Sequence, residues 1–212
     1  HENPVRVFIP RFADYITAFK LFSIPAIFFV MTMSLLRHLG GGIQASFYGV
    51  HLKDIGITAT TIGLLISING AFGLVGSLSV APLQRCFRDH SLLLLLVTGS
   101  IIFVAITPLF SDQITWLMVA SGFRGWAMAG SLVLLISMIS RYAKSEMHGK
   151  AMGLRVTLNQ MKWFAVPVIM GFVAEAFGRE YSFYIIGVTA VALVALLGLW
   201  IVRCHVFDRK TL

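Results

Sequence analysis

Residues 91–110 read SLLLLLVTGSIIFVAITPLF, twenty positions without a charged side chain. A helix that crosses the hydrocarbon core of a membrane needs about 20 mostly apolar residues. The whole chain has a matching composition, because 58% of its 212 residues are hydrophobic and only 12% are charged. Soluble domains have about 25% charged residues, so this chain has too little polar surface to cover a soluble core. The composition therefore predicts an all-α integral membrane protein, and the net charge of +8 does not indicate nucleic-acid binding.

Six segments are apolar and long enough to cross a membrane. They are residues 22–50, 60–83, 91–110, 114–139, 151–177 and 181–202. The connections between them are short, so we expect consecutive helices to be antiparallel neighbours. We assign residues 21–203 to a six-helix domain, residues 1–20 to a polar connector and residues 204–212 to a cytoplasmic tail. Because the polar connector does not resemble a signal sequence, we expect the chain to be part of a longer protein.

Lys and Arg residues outside these segments are distributed unequally between the two sides. Eleven lie on one side: Arg6, Arg11, Lys20, Arg85, Arg88, Arg141, Lys144, Lys150, Arg203, Arg209 and Lys210. Only Lys53 and Arg179 lie on the other side. Since positive residues concentrate on cytoplasmic loops, both termini are predicted to be cytoplasmic, in a cell membrane such as a bacterial inner membrane. Cys86 and Cys204 are then expected to be free thiols on the reducing side.

The second and fifth segments align with each other when the chain is shifted by 90 residues. The shift superposes identical residues at Gly63 and Gly153, Leu64 and Leu154, Asn69 and Asn159, and Phe87 and Phe177. The two segments run in opposite directions, so the alignment predicts two inverted three-helix repeats. Chance similarity between apolar sequences is the alternative. The same shift places residues 81–89 on 171–179, which predicts a second loop motif with Gly171, Glu175, Gly178 and Arg179.

Three stretches carry a resemblance to one family of transporters. Ala81, Pro82 and Arg88 lie in a stretch that resembles the loop motif G-P-L-A-D-R-F-G-R of the major facilitator superfamily. Arg85 stands where that motif has its acid. Residues 121–130, SGFRGWAMAG, resemble the family's fourth and tenth helices. Residues 148–160, HGKAMGLRVTLNQ, with 167–171, PVIMG, resemble the loop before the eleventh helix and its start.

The resemblance covers almost the whole chain and implies a fold and a function. The six segments correspond to helices seven to twelve, which is the C-terminal half of such a transporter. It implies a secondary active transporter, either a permease or an efflux protein, that moves a small organic solute by alternating access. The implied partners are the lipid bilayer and a missing N-terminal six-helix half. No cofactor and no enzymatic activity are implied.

Polar residues within the apolar segments are the candidates for a substrate cavity. At 100° per residue, Arg37, Gln44 and Tyr48 fall on one stripe of the first segment, which the resemblance places at the central cavity. Alternatively, Arg37 is held by backbone carbonyls where Gly40–Gly42 breaks the helix. Arg124 in the fourth segment shares a face with Ser121, Met128 and Ser131. It either contacts substrate or bonds a neighbouring helix.

The fifth segment adds a second polar stripe, formed by Arg155, Asn159 and Lys162. Lys162 is expected at mid-depth, whereas Arg155 is near enough to the cytoplasmic end to reach the membrane surface. No Asp or Glu lies at mid-depth in any segment, so the buried cations need counter-charges from elsewhere. We therefore expect either that they bind an anionic solute, or that they pair with acids of the missing half.

Other membrane functions have signatures that can be sought in the sequence. A polytopic membrane enzyme or a non-transporting membrane protein is the alternative to a transporter. The sequence contains neither a His-Glu-x-x-His metal motif nor the Gly-x-Ser-Gly context of an intramembrane serine protease,. It also has no glycine-rich phosphate loop, which argues against an ATP-driven pump. The four glycines Gly63, Gly70, Gly73 and Gly76 of the second segment predict close packing against another helix.

Overall fold

The computed structural model describes residues 21–43, 48–110, 113–143, 147–204 and 206–207. The described residues contain no β-strand. Their α-helices are α1 (Pro25–Ile43), α2 (Gly49–Asp54), α3 (Ala59–Cys86), α4 (Asp89–Ala105), α5 (Ile114–Tyr142), α6 (His148–Phe177) and α7 (Arg179–Cys204). Short 3-10 turns lie at Leu21–Ser23 and Thr107–Phe110. The predicted connector at residues 1–20 lies outside the described residues, as does most of the predicted tail.

The long helices coincide with the six predicted apolar segments. In the first segment the structure describes α1 up to Ile43 and α2 from Gly49, and residues 44–47 lie outside the described residues. Four helices, α3, α5, α6 and α7, are long and apolar enough to cross a membrane. The 17 residues of α4 extend only about 26 Å, which is less than the thickness of about 30 Å of a bilayer core. An all-α membrane protein with four candidate spans is thus confirmed, whereas six crossings remain a prediction.

Local sequence signals set the helix boundaries. The Thr58 side chain accepts a hydrogen bond from the backbone N–H of Thr61 (3.3 Å), which caps the start of α3,. Asp89 lies in the first turn of α4, where its negative charge interacts favourably with the helix dipole. Gly178 has a φ of +90° between α6 and α7. This left-handed backbone conformation favours glycine, and it lets α7 begin directly after α6.

Contacts between helices show their relative directions. In the first segment, Arg37 contacts Ser131 of α5. Tyr48 follows Arg37 in the sequence, and it contacts Ser121, which precedes Ser131. The first segment and α5 are therefore antiparallel. Asn69 of α3 hydrogen-bonds Ser121 of α5, and Ser79, later in α3, hydrogen-bonds Trp126, later in α5. These two helices are therefore parallel. This alternation is what short connections between successive spans predict.

The helices differ greatly in how much of them is buried. More than half of the most apolar stretch of α5 is buried (56%), compared with 17% for α3 and 12% for α6. Helix α3 packs chiefly against α5, while α6 packs against α1 and α7. The centre of the bundle is formed by α1, α4, α5 and α7. Helices α3 and α6 therefore present long apolar faces outwards. Their matching positions agree with an inverted repeat, which itself remains a prediction.

One end of the bundle is fixed by an aromatic cluster around Phe207. The Phe207 ring lies 5.6 Å from the ring of Phe29 in α1 and 5.4 Å from that of Tyr142 in α5. It also stacks on His90 of α4 at 5.1 Å. The start of α1, the start of α4 and the end of α5 therefore meet at this end, with the residues that follow α7.

Candidate functional site

Two of the polar stripes predicted from the sequence face each other inside the bundle. We call their contact the seam and define it by Arg37, His38 and Tyr48 from the first segment, and Ser121, Arg124 and Ser131 from α5. All six of these side chains are buried. The first segment and α5 are antiparallel, so the stripes pair residue by residue over two levels. The residues that the periodicity grouped on α5, Ser121, Arg124 and Ser131, thus share one buried contact. Residues 44–47 of the first segment lie outside the described residues.

Arg37 occupies one level of the seam and is bonded to α5. Its Nε donates to Ser131 Oγ at 3.1 Å and to the carbonyl oxygen of Met128 at 3.3 Å. Its Nη1 lies 3.4 Å from His38 Nδ1. Arg37 is thus held by a serine and a backbone carbonyl of a neighbouring helix. The helix-break interpretation expected a backbone carbonyl from the glycine segment instead.

Tyr48 and Arg124 occupy the other level. The Tyr48 hydroxyl hydrogen-bonds Ser121 Oγ at 3.1 Å, and the guanidinium carbon of Arg124 lies over the Tyr48 ring, 4.5 Å from its centre. Asn69 of α3 donates to the backbone carbonyl of Ser121 at 3.0 Å. Three helical segments thus meet at Ser121, which positions the Tyr48 ring beneath the guanidinium.

Arg124 is almost completely buried, with 2% of its surface exposed. Its Nε and Nη2 atoms have no hydrogen-bond partner among the described residues. A buried guanidinium normally bonds an acid or several carbonyl groups, because burying an unpaired charge is costly. The Tyr48 ring supplies a cation–π contact, which stabilises the charge by about 0.5–2 kcal/mol. The two open donors therefore mark Arg124 as a residue of the seam that is able to bind a further group.

Helix α6 brings its polar stripe to the side of α1. The positive charge of Arg155 acts on Arg37, so the two cations are near enough to repel each other. The Arg155 Nε and the Asn159 Oδ1 are also buried without a hydrogen-bond partner among the described residues. Gln44 and the side chains of Lys162 and Arg179 lie outside the described residues, so their expected roles in the cavity and the loop motif stay predictions.

The loop motif between α3 and α4 contains an acid that the sequence analysis missed. Arg85 stands at the position of the family's acid, but Asp89 forms an ion pair with Arg141 of α5 at 2.5 Å. Asp89 also accepts a hydrogen bond from Gln84 (3.0 Å). An aspartate at the start of a helix is a recognisable sequence signal, and it identifies this acid. The ion pair joins the start of α4 to the end of α5.

The other residues of the two predicted loop motifs lie in helices or directly beside them. Ala81, Pro82 and Arg85 belong to the last turns of α3, and Arg88 directly precedes α4. Gly171 and Glu175 lie in α6, where the Glu175 side chain is exposed, and Gly178 forms the turn to α7. A β-carbon at Gly171 would meet no neighbouring atom within 4 Å, so Gly171 does not mark a close helix contact among the described residues.

The four glycines predicted to mark close packing differ in whether another helix lies beside them. A β-carbon at Gly76 would overlap the backbone of Trp126, and one at Gly73 would touch α5. Gly63 and Gly70 have no such neighbour among the described residues. The prediction of close packing is therefore confirmed for Gly73 and Gly76, and it stays a prediction for Gly63 and Gly70.

Metal binding has no support in the part of the chain that the structure describes. No group of three or more His, Cys, Asp or Glu side chains there is arranged to hold an ion. Cys86 and Cys204 are both exposed free thiols. The seam presents two guanidinium groups, three hydroxyl groups and the His38 imidazole, and such groups bind anions and form hydrogen bonds.

Comparison with known proteins identifies the family. Searches of curated proteins and of solved structures give no match. The model of the Major Facilitator Superfamily, in contrast, matches residues 21–211. This match covers all seven helices, the seam and the loop motif between α3 and α4. The chain therefore belongs to the major facilitator superfamily, whose members are membrane transporters.

Proposed function

We propose that this chain is the C-terminal half of a secondary transporter that moves a small organic solute by alternating access. The observation that carries the proposal is the seam, a buried polar contact between the first segment and α5 that contains two arginines. Charged residues within a membrane protein are expensive and usually serve a transport pathway. Membership of a transporter family supports the same conclusion.

The partner in this proposal is a second six-helix half that covers the exposed faces of α3 and α6. Leu78 of α3 is 79% exposed and Phe164 of α6 is 82% exposed. Large apolar faces of this kind contact either lipid or another part of the protein. Ligand sites often lie where two domains meet, and a second half against α3 and α6 would place such a site beside the seam.

The transport proposal is tested with the protein produced from its complete gene and reconstituted in lipid vesicles. The vesicles are loaded with a mixture of small organic solutes, and their release is followed by mass spectrometry. We expect at least one solute to leave faster than from protein-free vesicles of the same composition. A protein that binds solutes but never changes their release would contradict the proposal.

The partner is tested by expressing the chain together with the segment that its gene encodes upstream. We expect the two to purify as one complex, and Phe164→Asn to weaken it. Leu199→Asn on α7 is the matched control, since Leu199 is also exposed (58%) but lies outside α3 and α6. Equal effects of both substitutions would contradict the assignment of this face.

A further inference from the structure

The open donors of Arg124 lie on one edge of its guanidinium. A guanidinium has five N–H donors in a rigid plane and keeps its proton in proteins. The Nε–H and one Nη2–H point in the same direction and form a parallel pair. These are the two atoms that have no partner among the described residues. Such a pair donates two parallel hydrogen bonds to the two oxygens of a carboxylate in bidentate geometry.

The rest of the Arg124 environment holds this edge in place. The Tyr48 ring lies against the guanidinium at 4.5 Å and is itself fixed by the Tyr48–Ser121 hydrogen bond. An aromatic ring against the guanidinium supports the cation without using its edge donors. The ring and its hydrogen bond thus fix the orientation in which the guanidinium presents this edge.

The described helices supply no counter-charge for Arg124. The chain's nine acidic residues are Glu2, Asp14, Asp54, Asp89, Asp112, Glu146, Glu175, Glu180 and Asp208. Those in helices lie within two residues of a helix end. Arg124 lies ten residues into α5, which is about 15 Å from the start of that helix. The anion that neutralises Arg124 therefore has to come from outside these helices.

Arg37 differs from Arg124 in this respect. Its Nε is already bonded to Ser131 and to the carbonyl of Met128, so the same edge of its guanidinium is occupied. The charge of Arg155 adds repulsion at this level. Arg37 thus joins α1 to α5, whereas Arg124 retains a free edge.

We propose that the Nε–Nη2 edge of Arg124, supported by Tyr48, is the subsite for one carboxylate group of the transported solute. This inference rests on the proposed transport function and names the class of its substrate as monocarboxylates or solutes with an accessible carboxylate. A single cation with one open edge matches a planar group of charge −1. A phosphate dianion would leave one charge and further oxygens unpaired.

The test is equilibrium binding to the complete protein in detergent, measured as a rise in its unfolding temperature. The probes are acetate, lactate, benzoate and succinate, each paired with its neutral amide, and inorganic phosphate. We expect at least one carboxylate to raise the unfolding temperature in a concentration-dependent way, while its amide and phosphate do not. Arg124→Gln should abolish the shift, and Arg124→Lys should weaken binding on the order of tenfold, because lysine keeps the charge but loses the paired donors.

Matched variants test whether binding depends on this guanidinium and this ring. Arg141→Gln is the matched loss of one positive charge at the end of α5 and should leave the carboxylate response unchanged. Tyr48→Phe keeps the ring but loses the hydrogen bond that positions it, so it should weaken binding less than Tyr48→Leu, which removes the ring. The proposal is overturned if no carboxylate binds, if phosphate binds as well as the carboxylates, or if the response survives in Arg124→Gln. It is also overturned if an acidic side chain elsewhere in the complete protein proves to occupy the edge.

The binding test is independent of the transport test. Carboxylate binding without any protein-dependent flux would contradict the transport function alone. Flux of a neutral solute without carboxylate binding would overturn the Arg124 subsite alone.

Discussion

Gly76 of α3 lies directly against the backbone of Trp126 in α5, so that a β-carbon at Gly76 would overlap the carbonyl oxygen of Trp126. The Trp126 indole donates to Ser79 Oγ of α3 at 2.8 Å, beside the same contact. Gly125, the residue before Trp126, lies equally close to the backbone of Asn69. Glycines from both helices thus let α3 and α5 approach closely, and Asn69 reaches Ser121 of the seam because of it.

We predict that Gly76→Ala and Gly125→Ala each destabilise the protein by about 1–3 kcal/mol, as overpacked cores do. The added methyl group meets backbone atoms, so the helices must separate. The measurement is thermal unfolding in detergent, followed by tryptophan fluorescence. Gly63→Ala is the matched control on α3, because its new methyl group would enter open space and should not lower stability. Equal losses in all three variants would show that the close contact is not the cause.

The Arg37–Ser131 hydrogen bond should be measurable in a double-mutant cycle. We predict a coupling energy of about 1.5–3 kcal/mol between Arg37→Gln and Ser131→Ala, since hydrogen bonds to charged groups contribute in this range. The measurement is the free energy of unfolding of the four proteins. Ser137→Ala on the same helix serves as the control partner for Arg37→Gln and should show additive behaviour. Additivity with Ser131→Ala as well would mean that this bond does not stabilise the protein.

The Asp89–Arg141 ion pair should contribute little to stability. Arg141 has 57% of its side chain exposed and Asp89 has 15%, so solvent screens the pair. We predict that Asp89→Asn lowers the free energy of unfolding by less than about 1 kcal/mol, and that high salt reduces the difference. A loss that salt does not change would point to the Gln84 hydrogen bond instead.

The topology predicts which thiols are reached from which side of the membrane. Cys86 and Cys204 are exposed at the ends of α3 and α7, and the distribution of Lys and Arg predicts that both lie on the cytoplasmic side. In intact cells, we expect a membrane-impermeant maleimide to label neither cysteine. A cysteine introduced at the exposed Lys53 should be labelled from outside. Labelling of Cys204 in intact cells would contradict the predicted orientation.

Much of the fold could be predicted from hydrophobicity alone. The apolar segment 114–139 is the helix Ile114–Tyr142, and the segment 151–177 is the helix His148–Phe177. Segments this apolar form helices in a membrane because every backbone group must be satisfied internally. The number of crossings is harder to predict, since α4 is helical for only 17 residues before the 3-10 turn that contains Pro108.

Part of the candidate site could also be predicted, because helical periodicity determines which residues of a helix share a face. It placed Arg124 with Ser121 and Ser131, and the structure has all three in the seam. It could not distinguish Arg37 from Arg124. Their different roles depend on which atoms of another helix lie opposite each guanidinium.

By itself, the sequence determined that this protein is an all-α membrane protein, where its helices lie and which polar residues share a face. These properties follow from the apolar content of each segment and from 3.6 residues per turn. Only the tertiary structure decided that Gly76 meets α5 while Gly63 meets open space, that Asp89 pairs with Arg141, and that Arg124 retains an open edge. Each of these depends on contacts between side chains far apart in the sequence, and such contacts are set by the packing of the helices.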